Sequence, residues 1–177
     1  MSWGIDPTHS LLEFSAKHMM FTTVRGHFQE FDGTLNLNED DITKSSVEGT
    51  VNAASITTGA DDRDGHLRSP DFFDVENYPT LTFKSTRIEP ANGNRFKIAG
   101  DLTIKDVTRE IVLDATYEGP HKDPWGNQRY AFSGDTSLSR KDFGLTWNVP
   151  LEGGGWLVSD EIKIHVELQA VQQQAEG

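Results

Sequence analysis

The chain has 177 residues, 35% hydrophobic and 25% charged, with a formal net charge of -12 and no cysteine. That length suits one domain with a real core. The missing cysteines exclude disulfides, thiolate catalysis, iron–sulfur clusters and Cys-ligated zinc, and the net acidity argues against nucleic acid and anionic membrane surfaces as partners.

The opening stretch, "MSWGIDPTHS", lacks a basic segment leading into an apolar run, and no apolar run of about 18 residues occurs anywhere. The expectation is a cytoplasmic protein without an integral membrane segment, periplasmic only if a leader has been removed.

Along the chain the dominant period is two, the signature of strands with one apolar face. Residues 11–18 place Leu12, Phe14, Ala16 and His18 on one face and Glu13, Ser15 and Lys17 on the other. "KHMMFTTVRGHF" follows, with Met19, Met20 and Phe21 in a row; flexible Met side chains suit a pliable apolar opening, or ordinary core. Gly26 fits a bend, and Phe28 and Phe31 fall out of simple alternation, which predicts a bulge. Alternating segments then recur at 33–37, 47–53, 81–85, 96–104, 111–117, 130–138 and 162–168, making eight with the first. "PANGN", "KDVT" and "PHKDPWGNQ" supply turns between the later ones. Short turns between consecutive strands predict an antiparallel meander. Eight one-faced strands without partner helices are expected to close on themselves, since closure removes edges and encloses the apolar face. The predicted fold is all-β: an eight-stranded antiparallel barrel in one domain, residues 1–171, with a disordered tail at 172–177; a two-sheet sandwich is the alternative.

Only "DDRDGHLRSPDFFD", residues 61–74, breaks the pattern. Asp64 fits the cap of a short helix and Pro70 limits its length, so a helical insertion lying on the barrel is predicted. Its mixed charges read either as a metal or acid–base site or as groups that pair among themselves. Phe72 and Phe73 then anchor the insertion in the barrel wall or mouth. His18 and His66 are the pair a metal-dependent enzyme would use. No His-Glu-x-x-His and no Gly-x-Ser-x-Gly pattern accompanies them. His18, inward by alternation, would need a partner in an apolar interior. His9 reads as a local backbone partner, and His27, His121 and His165 as exposed. In "SRKDFGLTWNVPLEGGGWLVSD", residues 139–160, Arg140 and Asp142 fit a local ion pair, and Trp147 and Trp156 either line a cavity or pack under a glycine-rich loop.

The inward faces carry small residues at mid-strand: Ala16, Gly33, Gly49, Ser85, Gly100, Ala115, Gly134 and Thr136. An eight-stranded barrel either fills with side chains or admits one small ligand. Small residues at the waist favour the ligand; strand coiling or bulges explain the same glycines without a void.

With those residues in view, the sequence resembles the YceI family, lipocalin-like polyisoprenoid-binding proteins. The matching stretches are "WGIDPTHSLLEFSAKHMMFTTVRGHFQEFDGTL", "ASITTGADDRDGHLRSPDFFDVENYPTLTF", "GDLTIKDVTREIVL" and "SRKDFGL", in the family's order. The resemblance implies a lipocalin-like barrel with a long internal pocket for an isoprenoid or similar amphiphile, and binding without catalysis. On this reading the partner is a long-chain apolar small molecule such as a polyisoprenoid, prenyl quinone, or fatty acid or amide. No catalytic residue, metal or cofactor is expected, and a homodimer is the default assembly. Expected wall residues are Phe14, Ala16, His18, Phe31, Leu35, Val51 and Phe83 from the first half. Ile98, Leu102, Leu113, Phe132, Phe143, Trp147 and Ile164 are expected from the second. Arg63, His66 and Arg68 are the headgroup candidates. A metal-dependent enzyme and a filled structural barrel are the competing readings.

Overall fold

The protein is described here by a computed structural model covering residues 2–172. Among these residues the strands are β1 (Ser2–Ile5), β2 (Leu11–His18), β3 (Thr22–Phe28), β4 (Phe31–Asn36), β5 (Ser46–Asn52) and β6 (Ile56–Thr57). There follow β7 (Thr80–Pro90), β8 (Arg95–Ile104), β9 (Val107–Lys122), β10 (Gln128–Ser139) and β11 (Glu161–Gln172), with one helix, α1 (Asp61–Arg68). All strands belong to one antiparallel sheet, ordered β1-β4-β5-β7-β8-β9-β10-β11-β2-β3-β6, and β1 also pairs with β11.

That last pairing closes a ring of eight strands. Trp3 stands opposite Leu35 of β4 on one side and Gln172 of β11 on the other. Gln172 is therefore inside β11, one residue into the predicted tail; residues 173–177 lie outside the described part. β2 continues the path of β1 and takes over the β11 edge further along, with Phe14 opposite Ile164. A 3-10 turn, Pro7–His9, separates the two halves, and the Asp6 carboxylate caps it by accepting from the Thr8 N–H at 3.0 Å. β3 and β4 are likewise two halves of one path. They part at Gln29–Glu30, where Gln29 N–H donates to the Ser55 carbonyl and Glu30 N–H to Ser55 Oγ. The irregularity expected at 28–31 is this break, and Ser55 satisfies the backbone groups it frees.

The meander gives the barrel two distinct ends. One end carries the 3-10 turn Ile42–Lys44, the turn at 91–94 and the loop at 123–127. Trp3, Leu35, Leu37, Tyr130 and Ala170 form a buried cluster there. Trp3 meets Tyr130 edge-on at 5.0 Å, and Tyr130 stacks on Phe132. These rings make a floor. Tyr130 donates from its hydroxyl to Glu39 at 2.8 Å; burial first, and then the Glu39 carboxylate, push its pKa up to about 12. Around the floor Arg129 ties three segments: Nε donates to Asp123 at 2.8 Å, and one terminal nitrogen to Asp6 at 2.9 Å and Gln169 at 3.1 Å.

The opposite end carries α1 and the segments at 19–21, 69–79, 105–106 and 140–160. A second buried cluster, Ala53, Leu81, Ile104, Phe143 and Leu145, lies on this side with Phe28, Phe73 and Leu138 packed against it. α1 is polar along its length and owes its position to neighbours, not to its own apolar face.

The Arg129 hydrogen bond is the main reason Asp123 stays at about 2, with burial opposing it. An unfolded aspartate titrates near about 3.9. Because the folded value is lower, this contribution is complete above about pH 4 and disappears as pH falls through about 2. Urea unfolding across that range is expected to show the loss, and Arg129→Gln to flatten it.

Candidate functional site

A cavity of about 650 Å³ occupies the barrel interior. Its wall draws on every strand of the closed ring. From the first half come Ile5, Phe14, Ala16, Phe31, Leu35, Val51 and Phe83; from the second, Ile98, Leu102, Leu113, Phe132 and Ile164. Along β9 the inward residues Ile111 and Leu113 stay half-buried while their neighbours Val112 and Asp114 are exposed. An inward side chain that keeps accessible surface faces open space, so the barrel is not filled.

The small inward residues divide into two groups. A Cβ at Gly134 would meet nothing nearer than 3.8 Å, and one at Gly49 only the Asp32 carbonyl at 3.5 Å; both glycines border the cavity. A Cβ at Gly100 would collide with the Phe83 ring, and one at Gly26 with the Phe14 ring. Those two glycines are sites where an aromatic ring lies across the backbone. Ser85 does not border the void: its Oγ accepts from the Val47 N–H at 2.9 Å, where β7 shifts register. Small inward residues thus signal space in some places and a folded-over ring in others.

The mouth brings together residues from 61–74 and 140–160. His66 packs edge-on against Trp147 at 4.6 Å between ring centroids and against Phe72 at 5.0 Å. Its Nε2 shares a hydrogen bond with Asp71 at 2.9 Å. Phe73 meets Phe28, which meets Phe14 on the wall. Arg63 borders the cavity and donates twice to Thr58, through Nε to Oγ1 at 2.7 Å and through a terminal nitrogen to the carbonyl at 3.0 Å.

Several expectations need correction. Phe143 does not line the cavity: it is buried against Ala53, Leu81, Ile104 and Leu145. Arg68 does not reach it either. It donates to the carbonyls of Ala54 at 2.9 Å and Ile56 at 3.1 Å, strapping α1 to the wall. Asp64 is not the helix cap, which is Ala60; it lies inside α1 and is buried. Its carboxylate accepts from Thr58 N–H at 2.8 Å, Thr58 Oγ1 at 2.5 Å and Thr57 Oγ1 at 3.2 Å. Burial drives its pKa upward, but these hydrogen bonds and the Arg68 charge outweigh it and hold the group below its ordinary value. His18 borders the mouth but is exposed, so it carries no burial cost. His9 bonds the Asp6 side chain at 2.8 Å instead of backbone. His165 is half-buried on the outer face, bonded to Asp135 at 2.7 Å, which raises its pKa against a smaller opposing burial effect.

Arg140 makes no ion pair with Asp142. It is buried, and donates from Nε to the Ser159 carbonyl at 2.9 Å and from one terminal nitrogen to the carbonyls of Leu145 at 2.7 Å and Trp147 at 2.9 Å. Burial lowers its pKa, with the nearby Asp160 charge opposing. This one guanidinium gathers the segment that holds Trp147 over the mouth. Among the described residues, no group of three or more His, Asp or Glu is arranged to hold a metal ion.

The YceI-like domain family matches residues 3–170. The chain belongs to this family. A UPF0312 protein of Pseudomonas aeruginosa is 34% identical over 165 residues, covering 93% of this chain and 83% of that one. One from Vibrio cholerae is 38% identical over 137 residues, covering 77% and 72%. Among solved structures, Burkholderia cenocepacia BcnA superposes with a TM-score of 0.81 at 25% identity, covering 93% of this chain and 98% of that one. A polyisoprenoid binding domain from Saccharophagus degradans superposes with a TM-score of 0.70 at 16% identity, covering 97% and 98%, a likeness of fold.

Within this YceI-like barrel the polar residues of 61–74 are mostly spent on holding α1 and Phe72–Phe73 in place. Arg140 does the same for the facing segment. Arg140→Met would leave the carbonyls of Leu145, Trp147 and Ser159 without their donor, at a cost of about 3 kcal/mol. Chemical denaturation checks this; Arg68→Ala, which frees two carbonyls, is expected to cost less, about 1–2 kcal/mol.

Proposed function

We propose that this protein binds a long-chain apolar or amphiphilic small molecule inside the barrel and carries or sequesters it without chemical change. The observation that carries the reading is the cavity itself: about 650 Å³, bounded chiefly by Leu, Ile, Val and Phe side chains, with polar residues such as Arg63 and His66 at its mouth. That volume falls within the range of about 300–1,000 Å³ usual for small-molecule sites. Candidate ligands are a polyisoprenoid, a prenyl quinone, or a fatty acid or amide. The polyisoprenoid binding domain of similar fold supports the isoprenoid class.

The energetics favour a chain-like guest. At about 25 cal/mol per Å², burying roughly 500 Å² of hydrocarbon contributes on the order of 12 kcal/mol before association and ordering costs. An apolar wall discriminates poorly among chains of similar bulk, so selectivity falls to the mouth, where Arg63 and His66 border the cavity. His66 already has Asp71 and two aromatic neighbours, which fix its ring at the rim where a headgroup would lie.

Two measurements test the proposal. Native mass spectrometry of gently purified protein, followed by solvent extraction, should reveal a lipid-like molecule. Failing that, added prenyl compounds or fatty acids should bind; no binding of either class would overturn the reading. Gly134→Leu should direct a side chain into the void, because a Cβ there meets its nearest atoms only at 3.8 Å. It is expected to keep the fold and thermal stability while weakening ligand binding by about tenfold or more. Unchanged affinity in a folded Gly134→Leu variant would move the ligand out of the barrel.

A further inference from the structure

Beside the mouth the barrel exposes large apolar side chains that the interior does not account for. Phe21 is 85% exposed, Met20 64% and Trp156 51%; Met19 and Val149 are exposed as well. They come from two tips that lie against each other. The first is the β2–β3 turn. The second is the hairpin around residues 149–157, where Pro150 bridges Trp156 and Leu157 N–H donates to the Val149 carbonyl. Met19 N–H donates to the Leu157 carbonyl at 2.8 Å, Ser159 N–H to the Lys17 carbonyl at 3.0 Å, and His18 bridges Val158. Met20 packs on Gly155. The patch is continuous with the cavity rim, because His18, Leu157 and Val158 border the cavity.

The conformation of the first tip is unusual for its residues. Met19 and Met20 have φ of 52° and 65°, and Phe21 N–H closes the turn on the His18 carbonyl at 3.2 Å. Two successive left-handed residues define the hairpin turn that Asn-Gly fills most readily. Methionine is disfavoured there by its Cβ. Backbone stability therefore does not explain these residues, and neither does burial.

We infer that the Met19–Phe21 and Trp156 tips dock on the surface of a lipid bilayer and set the cavity mouth against it. The inference rests on the proposed binding function: a chain that fits the cavity is held in membranes, and a mouth ringed by aqueous surface would have to lift it through water. Phe and Trp partition into the boundary between headgroups and acyl chains, and unbranched Met adapts to it. Lys141 lies 5.9 Å above the Trp156 ring, and Lys17, exposed beside the turn, donates to Thr23 at 2.6 Å, while the exposed Glu152 stands on the same hairpin, so the local charge is mixed. The net charge of -12 opposes anionic lipid, so the surface that fits is zwitterionic. Trp125, 80% exposed, stands on the 123–127 loop at the far end of the barrel and serves as the internal control.

Flotation of ligand-free protein with phosphatidylcholine vesicles tests docking apart from ligand binding. Wild type and Trp125→Ser should float, and Phe21→Ser/Trp156→Ser should not; adding phosphatidylglycerol should weaken the association. Transfer of a pyrene-labelled fatty acid from the same vesicles should accelerate with vesicle concentration. The double variant should slow it by about tenfold while leaving affinity for the probe, added from ethanol, within about twofold. Failure of the probe to bind from ethanol, with flotation intact, would count against the binding function and not the docking. Absence of flotation, or equal flotation by wild type and the double variant, overturns the docking. So does a wild-type dimer in sedimentation velocity that the double variant loses, since a second copy would then cover the patch.

Discussion

Three backbone pairings, Trp3 to Ile5 against Gln172 to Ala170, turn an open meander into a ring. Without them β1 and the last residues of β11 would be free edges, and the apolar face between them would open to water at that end. Closure has a second effect. A ring of eight strands has a limited circumference, and its interior is only just wide enough for side chains to meet across it. Whether that interior fills is then decided by side-chain size at a few inward positions. Trp3, Tyr130 and Phe132 fill one end. Gly134, Gly49 and Ala16 leave the middle open. The cavity follows from closure combined with uneven packing along the barrel axis.

Most of the ring is legible in the sequence because its signal is local. Residues 96–104 and 162–168 alternate cleanly, and each falls within an observed strand, β8 and β11. What escapes is anything whose partner is distant. β1 is four residues long, and its role depends on meeting the other end of the chain. β3, "TTVRGHF", interrupts its inward face, Val24, Gly26 and Phe28, with a glycine at the middle, so its period is faint. That inward glycine has meaning only once Phe14 is seen lying over it. The same limit applies to Ser85, whose hydroxyl serves the backbone of a neighbouring strand across a register shift. β6 is two residues, paired to the end of β3, and no pattern of that length can be read.

The candidate site shows the same division. Wall residues were recognisable because an apolar residue on an inward face has few alternatives. Phe143 is the exception: it leaves the last turn after β10 and packs under the loop, outside strand periodicity. The charged residues were harder. Asp64, Arg68 and Arg140 belong to sequence blocks that invite a chemical reading, yet each makes hydrogen bonds to backbone groups of irregular segments; Arg140, which also borders the void, keeps one buried terminal nitrogen unpaired. A loop crossing the end of a barrel cannot satisfy its own carbonyls, and buried donors must come from side chains. Dense charge in such a segment is first a statement about loop backbone. Arg63 and His66, which also border the void, retain a surface toward a guest.

An empty interior costs stability, since unfilled space forfeits dispersion contacts that a packed core would gain. The two ends carry the compensation. At the floor, Arg129 binds Asp6, Asp123 and Gln169, joining the first turn, the β9–β10 loop and the last strand. At the mouth, Asp64 and Arg68 fasten α1, and Arg140 fastens the facing loop. The Met19–Phe21 turn and the hairpin tip carrying Trp156 lie outside these clamps and bond to each other through Met19 and Leu157. The turn with two successive left-handed methionines and the exposed rings of Phe21 and Trp156 sit together at the rim of the void. A barrel that had only to be stable would fill its middle and polarise its rim; this one does neither, and both departures fall along the single path a hydrocarbon chain would take.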